Sequence, residues 1–148
     1  MSVIIRRATP DDVYEILDLA IEALNSNPYP GLVISSTKIF SLAIECISSA
    51  SHFSMIAEED GKIVGAVGAL VHPMMMYEKS QATVVQFYCK SPGNGVKLLR
   101  ELIKWVDSRA VIKMVCFTLE YRADPRIGKL LKRLGLDEEL PVYMKIKV

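Results

Sequence analysis

The sequence predicts an α/β fold, a mixed central sheet flanked by helices in the order β-α-α-β-β-β-α-β-α-β. Three observations carry that prediction. Apolar residues recur at helical spacing in four segments and in short strand-like runs elsewhere. An Asp-Gly pair joins two of the strand-like runs, a strong hairpin signal. The run Ala82 to Cys89 feeds a glycine loop, then an amphipathic helix, then another strand-like run. Such a strand-helix-strand crossover implies at least one parallel pair with a right-handed connection.

The elements follow in order. Val3 to Arg7 reads as a short strand. Thr9-Pro10-Asp11-Asp12 opens a helix, with a Thr cap, Pro at the first helical position and carboxylates at the positive end of the dipole. Val13, Ile16, Leu17, Ala20 and Leu24 give that helix one apolar face. Residues 25–31, Asn-Ser-Asn-Pro-Tyr-Pro-Gly, form a loop. A second helix starts near Ser36 with Ile39, Phe40, Ala43, Ile44 and Ile47 inward. Phe53 to Glu58 and Lys62 to Val71 flank Glu59-Asp60-Gly61 as a hairpin. His72 to Ser80 breaks the pattern with Pro73, three methionines and Tyr77. The helix after the glycine loop turns Val96, Leu99, Leu102, Ile103 and Val106 inward. Ile112 to Leu119 is the next strand. Asp124-Pro125 caps a shorter helix carrying Ile127, Leu130, Leu131 and Leu134, which Gly135 ends. Leu140 to Lys147 closes the sheet as a last strand.

At 148 residues the chain fits one domain, 1–148, with enough length for a proper core. Hydrophobic residues make up 51%, so a membrane span has to be considered. The longest candidate, Ile63 to Val71, falls far short of the roughly 20 residues needed, and two glycines interrupt it. Arg6 and Arg7 are followed by Asp11 and Asp12, which is no secretory signal. Cys46, Cys89 and Cys116 are odd in number and set in apolar runs, which points to reduced, buried thiols and a cytoplasmic protein. A nucleophilic cysteine is the alternative, but neither His52 nor His72 offers a partner, and no metal-ligand spacing surrounds them.

The net charge of +1 hides a split. Residues 1–74 hold four Lys/Arg against nine Asp/Glu, whereas residues 75–148 hold fourteen against eight. That suits an anionic cofactor on one half and a cationic substrate near the other, or it is solvated surface. Basic residues interleaved with acids, without stacking aromatics, argue against nucleic acid.

The segment Lys90-Ser91-Pro92-Gly93-Asn94-Gly95-Val96-Lys97 is the densest functional signal. Glycines between strand and helix let backbone N–H groups converge on an anion, and the helix adds its positive end. Ordinary turn chemistry is the other reading of Gly-Asn-Gly. In element order and at this loop the chain resembles the GNAT superfamily of acetyl-coenzyme A-dependent N-acetyltransferases. That family's phosphate loop has Gln or Arg, two residues, Gly, one residue, then Gly or Ala. Lys90, Gly93 and Gly95 match it, with lysine in the first place. Leu130-Leu131 and Gly135-Leu136 stand where the family has Leu-Tyr and Gly-Phe. The proline-and-methionine insert and Trp105 also resemble small acetyltransferase-like proteins of bacterial viruses.

The resemblance implies direct acetyl transfer from acetyl-CoA to an amine on a small molecule or a protein. It implies cofactor contacts along Phe87, Tyr88, Cys89 and the loop through Lys97, with Lys90 or Lys97 as point charges. Asp124 and Arg126 face them from the short helix. Leu131 replaces the tyrosine that often protonates the thiolate, so Tyr121 is the candidate acid, with Tyr143 another, and Glu120 the candidate base. Gln86 can hold a water, and Tyr29, Met74 and Tyr77 are candidates for the acceptor side. The methionine group fits a pocket or a homodimer contact equally well. A GNAT-fold protein that has lost catalysis and serves binding or assembly is the alternative function.

Overall fold

A computed structural model of the chain describes residues 2–119 and 122–147. Five strands form one sheet in the order β1-β2-β3-β4-β5: Val3–Arg7, Phe53–Glu59, Lys62–Pro73, Ser80–Cys89 and Ile112–Phe117. The first four are antiparallel, and β5 lies parallel to β4. Helices α1 (Val13–Ser26) and α2 (Ser36–Ser48) cover one face. There Ile16, Ala20, Ile39 and Ala43 pack against Ile56, Ala66 and Tyr88. Helices α3 (Pro92–Asp107) and α4 (Pro125–Arg133) cover the other, where Leu98, Leu99, Leu102 and Leu131 meet Phe53, Val67, Ala69 and Ala82. Among the described residues no helix is long and apolar enough to cross a membrane.

Local signals act where the sequence puts them. Asp60 (φ 52°) and Gly61 (φ 79°) make the tight hairpin turn between β2 and β3. At the entry to α1, the Thr9 N–H donates to the Asp12 carboxylate at 2.7 Å, and Arg6 grips the same carboxylate with two bonds of 2.8 and 2.9 Å. Gly135 (φ 99°) stops α4, and the Leu136 N–H closes back on the Leu131 carbonyl at 2.9 Å.

Several expectations are corrected. Residues 140–147 carry no strand: Leu140, Val142, Tyr143 and Met144 are all exposed. Their alternation marks a face that could be buried, but a strand also needs a neighbouring edge to bond. On α3 the buried face is Leu98, Leu99, Leu102 and Val106, with Val96 and Ile103 only half-buried. The same rotation brings in Leu19 on α1 and Cys46 on α2, leaving Leu17, Leu24, Phe40, Ile44 and Ile47 half-buried. β5 ends at Phe117 rather than Leu119, and β3 runs on to Pro73.

Candidate active site

The site starts with one extra residue in β4. Gly68 pairs with Gln86, yet the next residue, Ala69, pairs with Val84, so Val85 is bulged out of the ladder. The bulge switches the faces of the strand. Ala82, Val84 and Phe87 pack on the α3 side, whereas Tyr88 joins the α1–α2 core and Gln86 donates to the Ile39 carbonyl of α2 at 3.4 Å. β5 stays beside β4 only as far as Val84. Beyond that point the two strands part and leave a cleft of about 400 Å3. Its walls are residues 84–89 of β4, Lys90 and the chain at 117–119; Leu19, Glu22, Ala23 and Ser26 of α1 and the start of α4 complete it. The Phe87 and Phe117 rings meet edge to face across the parting, with centroids 5.5 Å apart.

At one end of this cleft β4 turns into α3. Ser91 caps the helix without a side-chain bond, Pro92 takes the first position, and the Gly95 N–H is the first to reach back, to the Ser91 carbonyl at 3.1 Å. The N–H groups of Gly93 and Asn94 come before the helical ladder begins, as helix geometry requires. The two glycines do different work, and neither has positive φ. A Cβ on Gly93 would meet nothing within 4 Å, so that side of the loop is open. A Cβ on Gly95 would lie 3.2 Å from the Phe87 ring and 3.6 Å from the Cys89 Cβ, so Gly95 lets helix and sheet touch.

Charge at the cleft is paired. The Lys90 ammonium lies 3.2 Å from Glu22 of α1, across the opening. Asp124 caps α4 through the Arg126 N–H at 2.9 Å, and the Arg126 guanidinium folds back on it at 2.7 Å. The Cys89 thiol donates to the Ser91 carbonyl at 2.8 Å. Burial pushes its pKa up, against the opposing pull of the Ser91 and Gly95 amides. Burial thus disfavours the thiolate that a nucleophile needs. Cys46, deeper in the core, is pushed up to about 12 by burial and Glu45.

A second, apolar pocket of about 310 Å3 adjoins the cleft. It lies between the α1–α2 loop and the chain after β5, and Asn27, Thr118 and Leu119 line both spaces.

No family model and no curated protein sequence matches the chain. Solved structures do. A predicted acetyltransferase from Clostridium acetobutylicum, solved with acetyl-CoA, superimposes with a TM-score of 0.77 at 12% identity, over 99% of this chain and 96% of that one. A GNAT-family acetyltransferase from Streptococcus pneumoniae gives 0.68 at 20% identity, over 90% and 83%. An aminoglycoside acetyltransferase from an uncultured soil sample, in complex with sisomicin, gives 0.68 at 17%, over 99% and 96%. The chain has the GNAT fold.

Within the GNAT fold the expected site residues divide into three groups. Gln86, Phe87, Tyr88, Cys89, Lys90 and Asp124 line the cleft, and Tyr29 lines the adjoining pocket. Ser91 to Lys97 form the first turns of α3, with Asn94 and Gly95 buried, Val96 half-buried and Lys97 exposed. The rest are elsewhere. Met74 and Tyr77 sit in the hairpin between β3 and β4, at the far end of β4 from the cleft, and line neither space. Arg126 is spent on Asp124, and Tyr143 is exposed. Leu131 is a buried core residue. Glu120 and Tyr121 lie outside the described residues. Sequence reading missed the α1 wall. Leu19, Glu22, Ala23 and Ser26 stand at three- and four-residue spacing, which puts them on one helix face. That spacing was the available signal.

Proposed function

We propose that the protein transfers the acetyl group of acetyl-CoA to a primary amine by direct attack. The observation that carries this reading is the cleft where β4 and β5 part, opening onto the start of α3. Three of its features fit the cosubstrate. Among the described residues, β5 pairs with β4 only as far as Val84, and the strand edge past that point suits the amides of a pantetheine arm. The N-terminus of α3 and Lys90 suit a pyrophosphate, and the open side of Gly93 leaves room for it to approach the backbone. Phe87 to Lys90 and Ser91 to Lys97 are assigned to this binding, with Asp124 opposite.

The cosubstrate supplies a thioester carbon and a tolerable thiolate leaving group. An amine attacks only as its free base, so the protein must accept one proton and return another. We assign the return to Tyr121, since a phenol is protonated at neutral pH, and the acceptance to Glu120 or a water. Gln86, anchored on α2, orients groups at the bulge rather than moving protons.

Calorimetric titration with acetyl-CoA tests the binding half. At a hundred-fold excess over Kd, bound ligand adds about 2.7 kcal/mol of stability. Thiol release with a panel of amines tests the transfer half. Tyr121→Phe should lower turnover and spare acetyl-CoA affinity; unchanged turnover would remove Tyr121 from the mechanism. One observation favours a second reading, a GNAT-fold binding protein without catalysis. Leu131, where the family often has its acid tyrosine, is buried core. Tight acetyl-CoA binding with no transfer to any amine would select that reading.

A further inference from the structure

The apolar pocket beside the cleft bears on which amine the protein takes. Its outer wall is preformed. Tyr29-Pro30-Gly31-Leu32 is a type II turn, with Pro at the second position, Gly31 at φ 75° in the third, and the Leu32 N–H on the Tyr29 carbonyl at 3.2 Å. Leu24, Pro28, Leu32 and Ile34 face Leu119 across it. Among the described residues that line it, none carries a charge. The two carboxylates of the neighbouring cleft are neutralised, Glu22 by Lys90 at 3.2 Å and Asp124 by Arg126 at 2.7 Å. Among the described residues a polycationic acceptor would meet only carboxylates that already hold a cation, and extra ammonium groups seated in the apolar pocket would be desolvated at a high cost. An amine with an apolar body gains from the same surface. Apolar surroundings also favour its uncharged, nucleophilic form. At about 310 Å3 the space is at the small end of small-molecule sites, which run from roughly 300 to 1,000 Å3.

We infer that the acceptor is a small monoamine whose uncharged apolar body seats in the pocket between the Tyr29–Leu32 turn and Leu119, with its nitrogen toward Asn27 and Thr118 at the cleft. The inference rests on the proposed transferase reading. In the reaction the amine nitrogen forms a bond to the acetyl carbon, the carbon–sulfur bond breaks, and the amine's proton is released as the thiolate gains one.

The full chain is assayed for thiol release with acetyl-CoA and each of 2-phenylethylamine, 3-methylbutylamine, ethylamine, spermidine and sisomicin. A hydrophobic pocket discriminates by roughly 10–200-fold per methylene. The kcat/KM for 3-methylbutylamine should therefore exceed that for ethylamine at least ten-fold, and 2-phenylethylamine should exceed spermidine and sisomicin by a similar factor. Leu32 is half-exposed on the turn, so Leu32→Asp leaves the core intact. It should cut the preference for 2-phenylethylamine over spermidine at least ten-fold while coenzyme A affinity holds. Equal or better rates with spermidine or sisomicin, or an unchanged preference in Leu32→Asp, overturn the inference. A parallel calorimetric titration of 2-phenylethylamine into coenzyme A-loaded protein separates the two failures. Binding that Leu32→Asp abolishes, without any acetyl transfer, defeats the transferase reading and keeps the pocket; absence of binding defeats the inference itself.

Discussion

Valine at position 95 is the sharpest probe of how helix and cleft are joined. The Cβ alone would stand 3.2 Å from the Phe87 ring, 3.6 Å from the Cys89 Cβ and 3.8 Å from its sulfur, and two γ-carbons would press further into that space. Phe87 has little room to retreat, because its ring already meets Phe117 edge-on at 5.5 Å. Overpacking of this kind costs roughly 1–3 kcal/mol. Replacing glycine in a helix returns about 0.4 kcal/mol of that, the difference between glycine and valine propensities. The net loss is about 0.6–2.6 kcal/mol, or a fall in Tm of roughly 2–8 °C for a chain of this size. Gly93→Ala is the control, since its Cβ meets nothing within 4 Å. It should keep the stability or gain up to about 1 kcal/mol. Urea unfolding followed by circular dichroism measures both variants. Because Gly95→Val drives Phe87 toward the cleft, calorimetry should also show acetyl-CoA binding weakened about ten-fold. A Gly95→Val protein with the parent's midpoint and the parent's affinity would refute the packing argument and the placement of the ligand together.

Two further predictions concern charge. The Arg6 guanidinium lowers the pKa of the buried Asp12 carboxylate against the opposing pull of burial, so this pair stabilises the fold above about pH 4 and is lost as pH falls through the folded value of Asp12. Arg6→Ala should cost about 2 kcal/mol at pH 7, less than a fully buried pair because Arg6 is partly exposed. The gap to the parent should narrow in urea titrations as pH falls from about 5 toward 3, and a gap that widens there would contradict the sign. Glu22→Gln should free Lys90 and tighten acetyl-CoA two- to five-fold, the scale of one exposed ion pair. The gain should fade in 1 M salt, and weaker binding would place Glu22 on the ligand's side.

The fold was legible because its signals are local. Asp60-Gly61, Asp124-Pro125 and Gly135 each fix a boundary through the chemistry of a few neighbouring residues, whereas Thr9-Pro10 opens a 3-10 turn over Pro10–Asp12 and α1 begins only at Val13. The failed strand at 140–147 marks the limit of that reading, since alternation cannot supply a partner. Burial on α3 also escaped it. Leu98 and Val96 lie two residues apart, and only the angle at which the helix crosses the sheet decides between them. The candidate site was half legible. The glycine loop announces itself, whereas the roles of its two glycines depend on what stands opposite: open space for Gly93 and Phe87 for Gly95. The α1 wall and the apolar pocket were hidden because they join segments far apart in the chain. Met74 and Tyr77 have side chains that suit a pocket, but they sit at the other end of β4 from this cleft.

The bulge at Val85 has a consequence for how this chain can vary in length. A strand assigns its residues to two faces by odd and even number, so its side-chain order is a matter of parity. Val85 flips that parity once, which lets Val84 and Phe87 share one face although three positions separate them. Deleting Val85 alone would restore plain alternation and leave Gln86 on the α2 side and Phe87 on the α3 side, because Val85 is the residue without a partner on β3. Changes in the 74–79 hairpin would not touch the assignment. Gly68 is fitted to the same register, since a Cβ there would come within 3.2 Å of the Gln86 side-chain oxygen. Position 68 is crowded from α2 as well, since the same Cβ would lie 3.1 Å from the Cys46 sulfur, a contact that does not depend on the bulge.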